Sequence, residues 1–212
     1  MRVTIAKRRE EGPWKTQMLS ASCYVFLAAG IMALGYAGYA VLDLYWYQQV
    51  ESSNFETVSA NARPPRVEGI PIANGVVIGE IEVPRLGLKA IVLDGDSEKV
   101  LRRSVGHLPE TALPGEPGNI ALAGHRDGLF RPLRDVRAGD TISLRTPGHN
   151  FQYQVEWTAV VPPTAIQIIL PTSEPTLTLI TCFPFYYVGA APERFIVRAH
   201  KISITSREPT SP

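Results

Sequence analysis

The chain begins with one unbroken apolar run and then changes to short alternating stretches. Residues 16–42, TQMLSASCYVFLAAGIMALGYAGYAVL, carry no charged side chain, and the next charge is Asp43. A helix of about 20 residues crosses a bilayer, so this run has the length to do so. It is apolar all round, whereas a helix packed on a soluble core keeps polar residues at helical spacing. The pattern predicts a transmembrane signal-anchor over 16–42. A cleaved signal peptide is the competing reading, with Gly38-Tyr39-Ala40 as its small-x-small site, although such peptides have an apolar region of only about 7–15 residues. Tyr45, Trp46 and Tyr47 follow as an interfacial aromatic belt.

Residues 43–75 predict a tether; its 51–75 portion is rich in Ser, Asn, Ala and Pro and begins with helical character. From Val76 the pattern is β-like, punctuated by Gly and Pro. The runs are VVIGEIEVP, LKAIVLDG, GNIALAGH, DTISL, FQYQVEWTAVV, TLTLITC and RFIVRAHKISI. Residues 98–105 have room for a turn or two of helix. Many short strands over 76–204 point to an all-β domain, either an antiparallel barrel or a sandwich. The remaining residues, 205–212, predict a disordered tail.

Charge changes the picture in one respect. Over 212 residues the net charge is +1, which does not favour a nucleic-acid partner. The total hides an asymmetry: Arg2, Lys7, Arg8, Arg9 and Lys15 face only Glu10 and Glu11 before the apolar run, and the chain beyond it is slightly acidic. A basic flank stays on the cytoplasmic side, so residues 1–15 are expected inside and the domain after Asp43 outside. There is no internal repeat, no metal-spaced Cys/His cluster and no phosphate-binding Gly loop. No cofactor is expected.

Cysteine usage then becomes informative. Cys23 lies in the apolar run and Cys182 in the outer domain, so the two cannot bridge. An unpaired thiol outside the cytoplasm is reactive, joined to another chain, or buried and inert. Cys182 closes the strand-like TLTLITC, and Arg194 opens RFIV after an intervening loop. If these strands pair as a hairpin, the two residues share one rim. A nearby guanidinium favours the nucleophilic thiolate and can donate to an oxyanion. A base is also needed. His125 ends NIALAGH at a strand end like that of Cys182, while His107, among turn residues in VGHLPETALPG, is its main rival. His149 falls in a hairpin turn and His200 late on a strand.

The motifs LAGHR, TLTLITC and RFIV, in this order, resemble the sortase family of cysteine transpeptidases. The fuller context, GHLPETALPGEPGNIALAGHRD and TLTLITCFPFYYVGAAPERFIVRA, resembles its class D branch, and the likeness covers nearly all of 76–204. It implies an eight-stranded sortase-type β-barrel preceded by one transmembrane helix, with His125, Cys182 and Arg194 as the catalytic trio and Arg198 as a weaker rival for Arg194. It further implies that Cys182 attacks the Thr carbonyl of an LPxT-type sorting motif in a secreted protein. A thioester then forms, and an amine of the cell envelope resolves it. Thr181 is expected to line the pocket or simply to pack within its strand. Phe183 and Tyr186 are expected in a mobile substrate wall, unless those aromatics pack on the barrel.

The class D resemblance leads us to expect Asp where Ala165 stands, so the hydrogen bond or charge such an Asp would bring to the substrate loop is absent here. Leu108 to Ala112 spell LPETA, itself a sorting-like motif, but no apolar span and basic tail follow it; a turn is expected there rather than self-processing. Two other classes remain in view: a cysteine endopeptidase, in which water resolves the thioester, and an inactive membrane-tethered binding module.

Overall fold

Alternation along the chain produces a closed ring of eight strands. They are β1 (Val77–Val83), β2 (Leu88–Asp94), β3 (Val105–His107), β4 (Asn119–Ala123), β5 (Thr141–Thr146), β6 (His149–Val161), β7 (Thr176–Phe183) and β8 (Glu193–Ser206). The computed structural model describes residues 13–61, 75–187 and 189–206. Around the barrel the order is β1-β2-β3-β4-β7-β8-β6-β5, closed by β1 against β5. Ile120 and Leu122 of β4, Leu177 and Leu179 of β7, and Val197 and Ala199 of β8 fill the interior. Each Val or Leu side chain so buried contributes about 1.5–3 kcal/mol.

The barrel is not purely antiparallel. β2 runs parallel to β3, and β4 parallel to β7. Parallel neighbours need a crossover; the short helix α2 (Glu98–Leu101) supplies the first, and the second passes through β5 and β6. Ser97 caps α2, its hydroxyl accepting from the Val100 amide. The three-residue β3 is too short to show a period, which is why its last residue, His107, reads as part of a turn from sequence.

The long helix α1 (Pro13–Asn61) contributes to two compact units, one reaching Tyr45 and the other beginning at Trp46. In the first unit α1 is long and apolar enough to cross a membrane, and Tyr24, Phe26, Leu34 and Tyr36 are all largely exposed. In the second unit its final turns lie on the barrel, where a free tether was expected. Phe55 is buried against Ile91, Leu93 and Val100. Gln48 accepts from the Ile91 amide and donates to the Arg103 carbonyl, and Ser52 donates to Glu80. Apolar burial and satisfied polar groups make this stretch part of the domain. The remainder of the tether, residues 62–74, lies outside the described residues, as do 1–12 of the basic N-terminus. Of the expected tail, 205 and 206 belong to β8 and 207–212 lie outside the described residues.

Candidate active site

Strand parity decides which side chains share a face. With Leu177 and Leu179 directed inward, Thr178, Ile180 and Cys182 of β7 face out of the barrel. With Val197 and Ala199 inward, Arg194, Ile196 and Arg198 of β8 face the same way. The hairpin expected from sequence is present, and Cys182 stands directly opposite Arg194 in its register.

His125 reaches this face by a different route. On β4, Ala123 lies beside Ile180 of β7, and the Gly124 amide extends the ladder to the Ile180 carbonyl at 3.1 Å. A Cβ on Gly124 would sit 2.8 Å from two ring carbons of Phe130, which is itself fully buried. Position 124 therefore faces the core and must be glycine, which directs His125 to the outer face. The same strand ends thus bring His125, Cys182 and Arg194 to one rim of the barrel, each half-buried.

Local contacts define each group. His125 pairs with Glu98, whose Oε2 lies 3.7 Å from Nε2; Glu98 is 71% exposed, so this pair is weak. Arg194 donates from Nη1 to the carbonyls of Glu193 and Ala191, at 3.0 and 3.3 Å. Thr181 is buried and its hydroxyl donates to the Gly124 carbonyl at 2.7 Å, so it braces two strand ends from within the wall. Phe183 stacks on Phe195, and Phe185 meets both rings edge-on. Tyr186 is 78% exposed and its hydroxyl accepts from Arg134 at 3.1 Å.

The rivals lie elsewhere. His107 is buried, with Nδ1 3.0 Å from Asp94 and Nε2 3.1 Å from the Ala112 carbonyl. A carbonyl only accepts, so Nε2 carries a proton, and both ring nitrogens are engaged in holding the fold. Thr111 continues that network, accepting from the Ala121 amide and donating to the Leu108 carbonyl, and the Thr111 amide also bonds to Leu108. LPETA is therefore a closed turn and not an extended substrate. His149 opens β6, and His200 pairs with Thr176 at the far end of β7. Arg198 stands opposite Thr178 and is buried; it donates to the Ile168 carbonyl at 2.9 Å and lies over the Trp157 ring. Burial pushes its guanidinium below the usual value, against the opposing pull of Glu156.

Two polar residues escaped notice in the sequence. Asn119 donates to the Ile168 carbonyl at 2.9 Å and accepts from Thr178 at 2.6 Å, holding the connection before β7 onto the outer face. Arg126, beside His125, grips the loop between Cys182 and Arg194. Both act on backbone carbonyls distant in sequence, and a carbonyl leaves no mark on residue identity. Ala165 precedes the short 3₁₀ turn Ile166–Ile168, which has no side-chain cap. An Asp there would be a capping residue.

The sortase domain family matches residues 81–202. Sortase D of Bacillus subtilis is 29% identical over 191 residues, covering 84% of this chain and 96% of its own. Among solved structures, a Clostridium perfringens Sortase D5 transpeptidase aligns with a TM-score of 0.57 at 31% identity, over 62% of this chain and 82% of that one. The SrtA sortase from Actinomyces oris reaches a TM-score of 0.60 at 27% identity, over 70% and 91%. With the barrel, the strand order and these relatives in agreement, the chain belongs to the sortase family of cysteine transpeptidases.

Proposed function

We propose that this enzyme is anchored in a membrane by α1, with its N-terminus in the cytoplasm and its barrel outside. In this reading it cleaves an LPxT-type sorting motif after Thr and passes the protein to an amine of the cell envelope. The Cys182 thiolate attacks the Thr carbonyl carbon, and the resulting oxyanion is held by the Arg194 guanidinium. The C–N bond breaks as the His125 imidazolium protonates the departing amine, leaving a thioester on Cys182. His125, now neutral, deprotonates the incoming amine, which attacks the thioester and releases the thiolate. Phe183 and Tyr186 flank the peptide, and Thr181 keeps the two strand ends aligned.

The observation carrying this reading is the direct register pairing of Cys182 with Arg194 on the face to which Gly124 directs His125. The test is mass measurement of the protein mixed with an LPxTG peptide, with and without an added amine. The expected result is an adduct on Cys182, absent in Cys182→Ala, and an amide product that grows with amine concentration. A product that stays free acid at every amine concentration would make the enzyme an endopeptidase, and no adduct at all would make the domain a binding module.

A further inference from the structure

We infer that Arg126 is a positioning residue for this reaction, fixing the loop carbonyls of Pro184, Tyr187 and Gly189 and, through them, the guanidinium of Arg194. The inference rests on the oxyanion role proposed for Arg194. Arg126 is only 6% exposed. Its Nη1 donates to the Pro184 carbonyl at 3.0 Å, and its Nη2 donates to the carbonyls of Tyr187 and Gly189 at 2.6 and 3.0 Å. The Tyr187 ring covers the guanidinium, 5.9 Å from Cζ to the ring centroid. Among the described residues the one carboxylate bonded to it is Asp127, 3.4 Å from Nε and 75% exposed, which does little to offset the charge.

Burying a guanidinium is costly unless its donors are met. Here they are met by the main chain of one loop, which begins beside the nucleophile and ends at Arg194. Arg194 holds the next carbonyls of that loop, Ala191 and Glu193. The two arginines therefore grip successive carbonyls of one segment, Arg126 from the strand end that carries His125 and Arg194 from the strand that faces Cys182. A planar fork with several donors can meet three carbonyls at once; an ammonium cannot hold the same arrangement. Release of the loop at Arg126 lets Ala191 and Glu193 move, and the Arg194 fork moves with them. Displacements of about 1 Å at such a group cost up to about a hundred-fold in rate.

The test compares acyl-enzyme formation by the full chain in detergent micelles for wild type, Arg126→Ala, Arg126→Lys, Arg194→Ala and the Arg126→Ala/Arg194→Ala double variant. Thermal unfolding is followed in parallel. We expect Arg126→Ala to slow acylation by about ten- to a hundred-fold and Arg126→Lys to recover little of it. The double variant should be no slower than Arg194→Ala alone, because Arg126 acts through Arg194. A merely structural arginine would instead multiply its loss with that of Arg194, and that result overturns the inference, as does acylation within about two-fold of wild type in folded Arg126→Ala. If Arg126→Ala does not fold, Arg126→Lys takes its place in the same cycle, and the same two results overturn the inference. Wild type that forms no adduct would remove the proposed role of Cys182, and this inference with it, before any arginine variant is compared.

Discussion

Thr181 and Gly124 are joined by a hydrogen bond of 2.7 Å from the hydroxyl of one to the carbonyl of the other. Each is the residue immediately before a member of the proposed trio, Cys182 and His125. The bond thus ties together the strand ends that carry the proposed nucleophile and acid without touching either side chain. Thr181→Val keeps the shape but strands a buried carbonyl, at a cost of about 1–3 kcal/mol. Thr181→Ser keeps the donor. Urea unfolding together with acylation rates should show Val impaired in both and Ser close to wild type; an undiminished Val variant would mean that the strands align without this bond.

His107 and His125 should separate cleanly by what they break. His107→Ala leaves Asp94 buried without its partner and should cost about 3 kcal/mol of stability. His125 is half-exposed with only a weak neighbour in Glu98, so His125→Ala should melt within about two degrees of wild type and lose acylation. Calorimetry paired with adduct mass measures both effects. A folded His107→Ala that is inactive, beside an active His125→Ala, would reverse the assignment.

Acid should weaken the fold through Asp140. Its carboxyl is held below the ordinary value of 3.8, first by the hydrogen bond from Arg85 and also by the Arg137 amide, against the opposing effect of burial. A depressed folded pKa stabilises the fold fully above the unfolded value and loses that contribution as pH falls through the folded value. Asp140→Asn should therefore flatten the decline in urea midpoint below about pH 4. The effect is modest, since Arg85 is 43% exposed. An unchanged acid limb in this variant would assign the decline to other carboxyls.

Truncation should distinguish the anchor from the domain. A fragment starting at Trp46 keeps Gln48, Ser52 and Phe55 on the barrel, whereas one starting at Val76 loses them. The loss of Phe55 burial alone is worth about 1.5–3 kcal/mol. The shorter fragment should unfold at lower urea, with acylation retained while it is folded, because the deleted residues lie outside the trio. Equal midpoints would show that these contacts add nothing to stability.

Much of this was legible from residue order, and the exceptions have a common cause. Short apolar runs bounded by Gly and Pro mark β1, β2, β4 and β7, which are buried along most of both faces, while alternation is clear in β6; the same reading places Cys182 and Arg194 at facing strand ends. β3 has no period to read, and the parallel pairing of β4 with β7 depends on a crossover through the intervening strands. The rivalry between His107 and His125 is undecidable from their neighbours alone, since both follow glycine. Burial separates the two in the fold, with His107 held by Asp94 and Ala112 and His125 half-exposed. Ala165 shows the opposite situation: the class D resemblance raises the expectation of a carboxylate there, and the structure shows a turn without a side-chain cap. Asn119 and Arg126 stayed hidden because their donors go to main-chain carbonyls distant in sequence.

Closure of the ring by β1 against β5 limits how this enzyme can meet a peptide. Proteins that capture extended peptides often do so by lending them the unpaired edge of a sheet, where main-chain bonds supply affinity whatever the side chains are. A closed ring has no such edge to lend. On the proposed function, recognition therefore falls to side chains and to the loops held over the outer face. Change of specificity between related enzymes can then occur in those loops while the barrel beneath stays as it is.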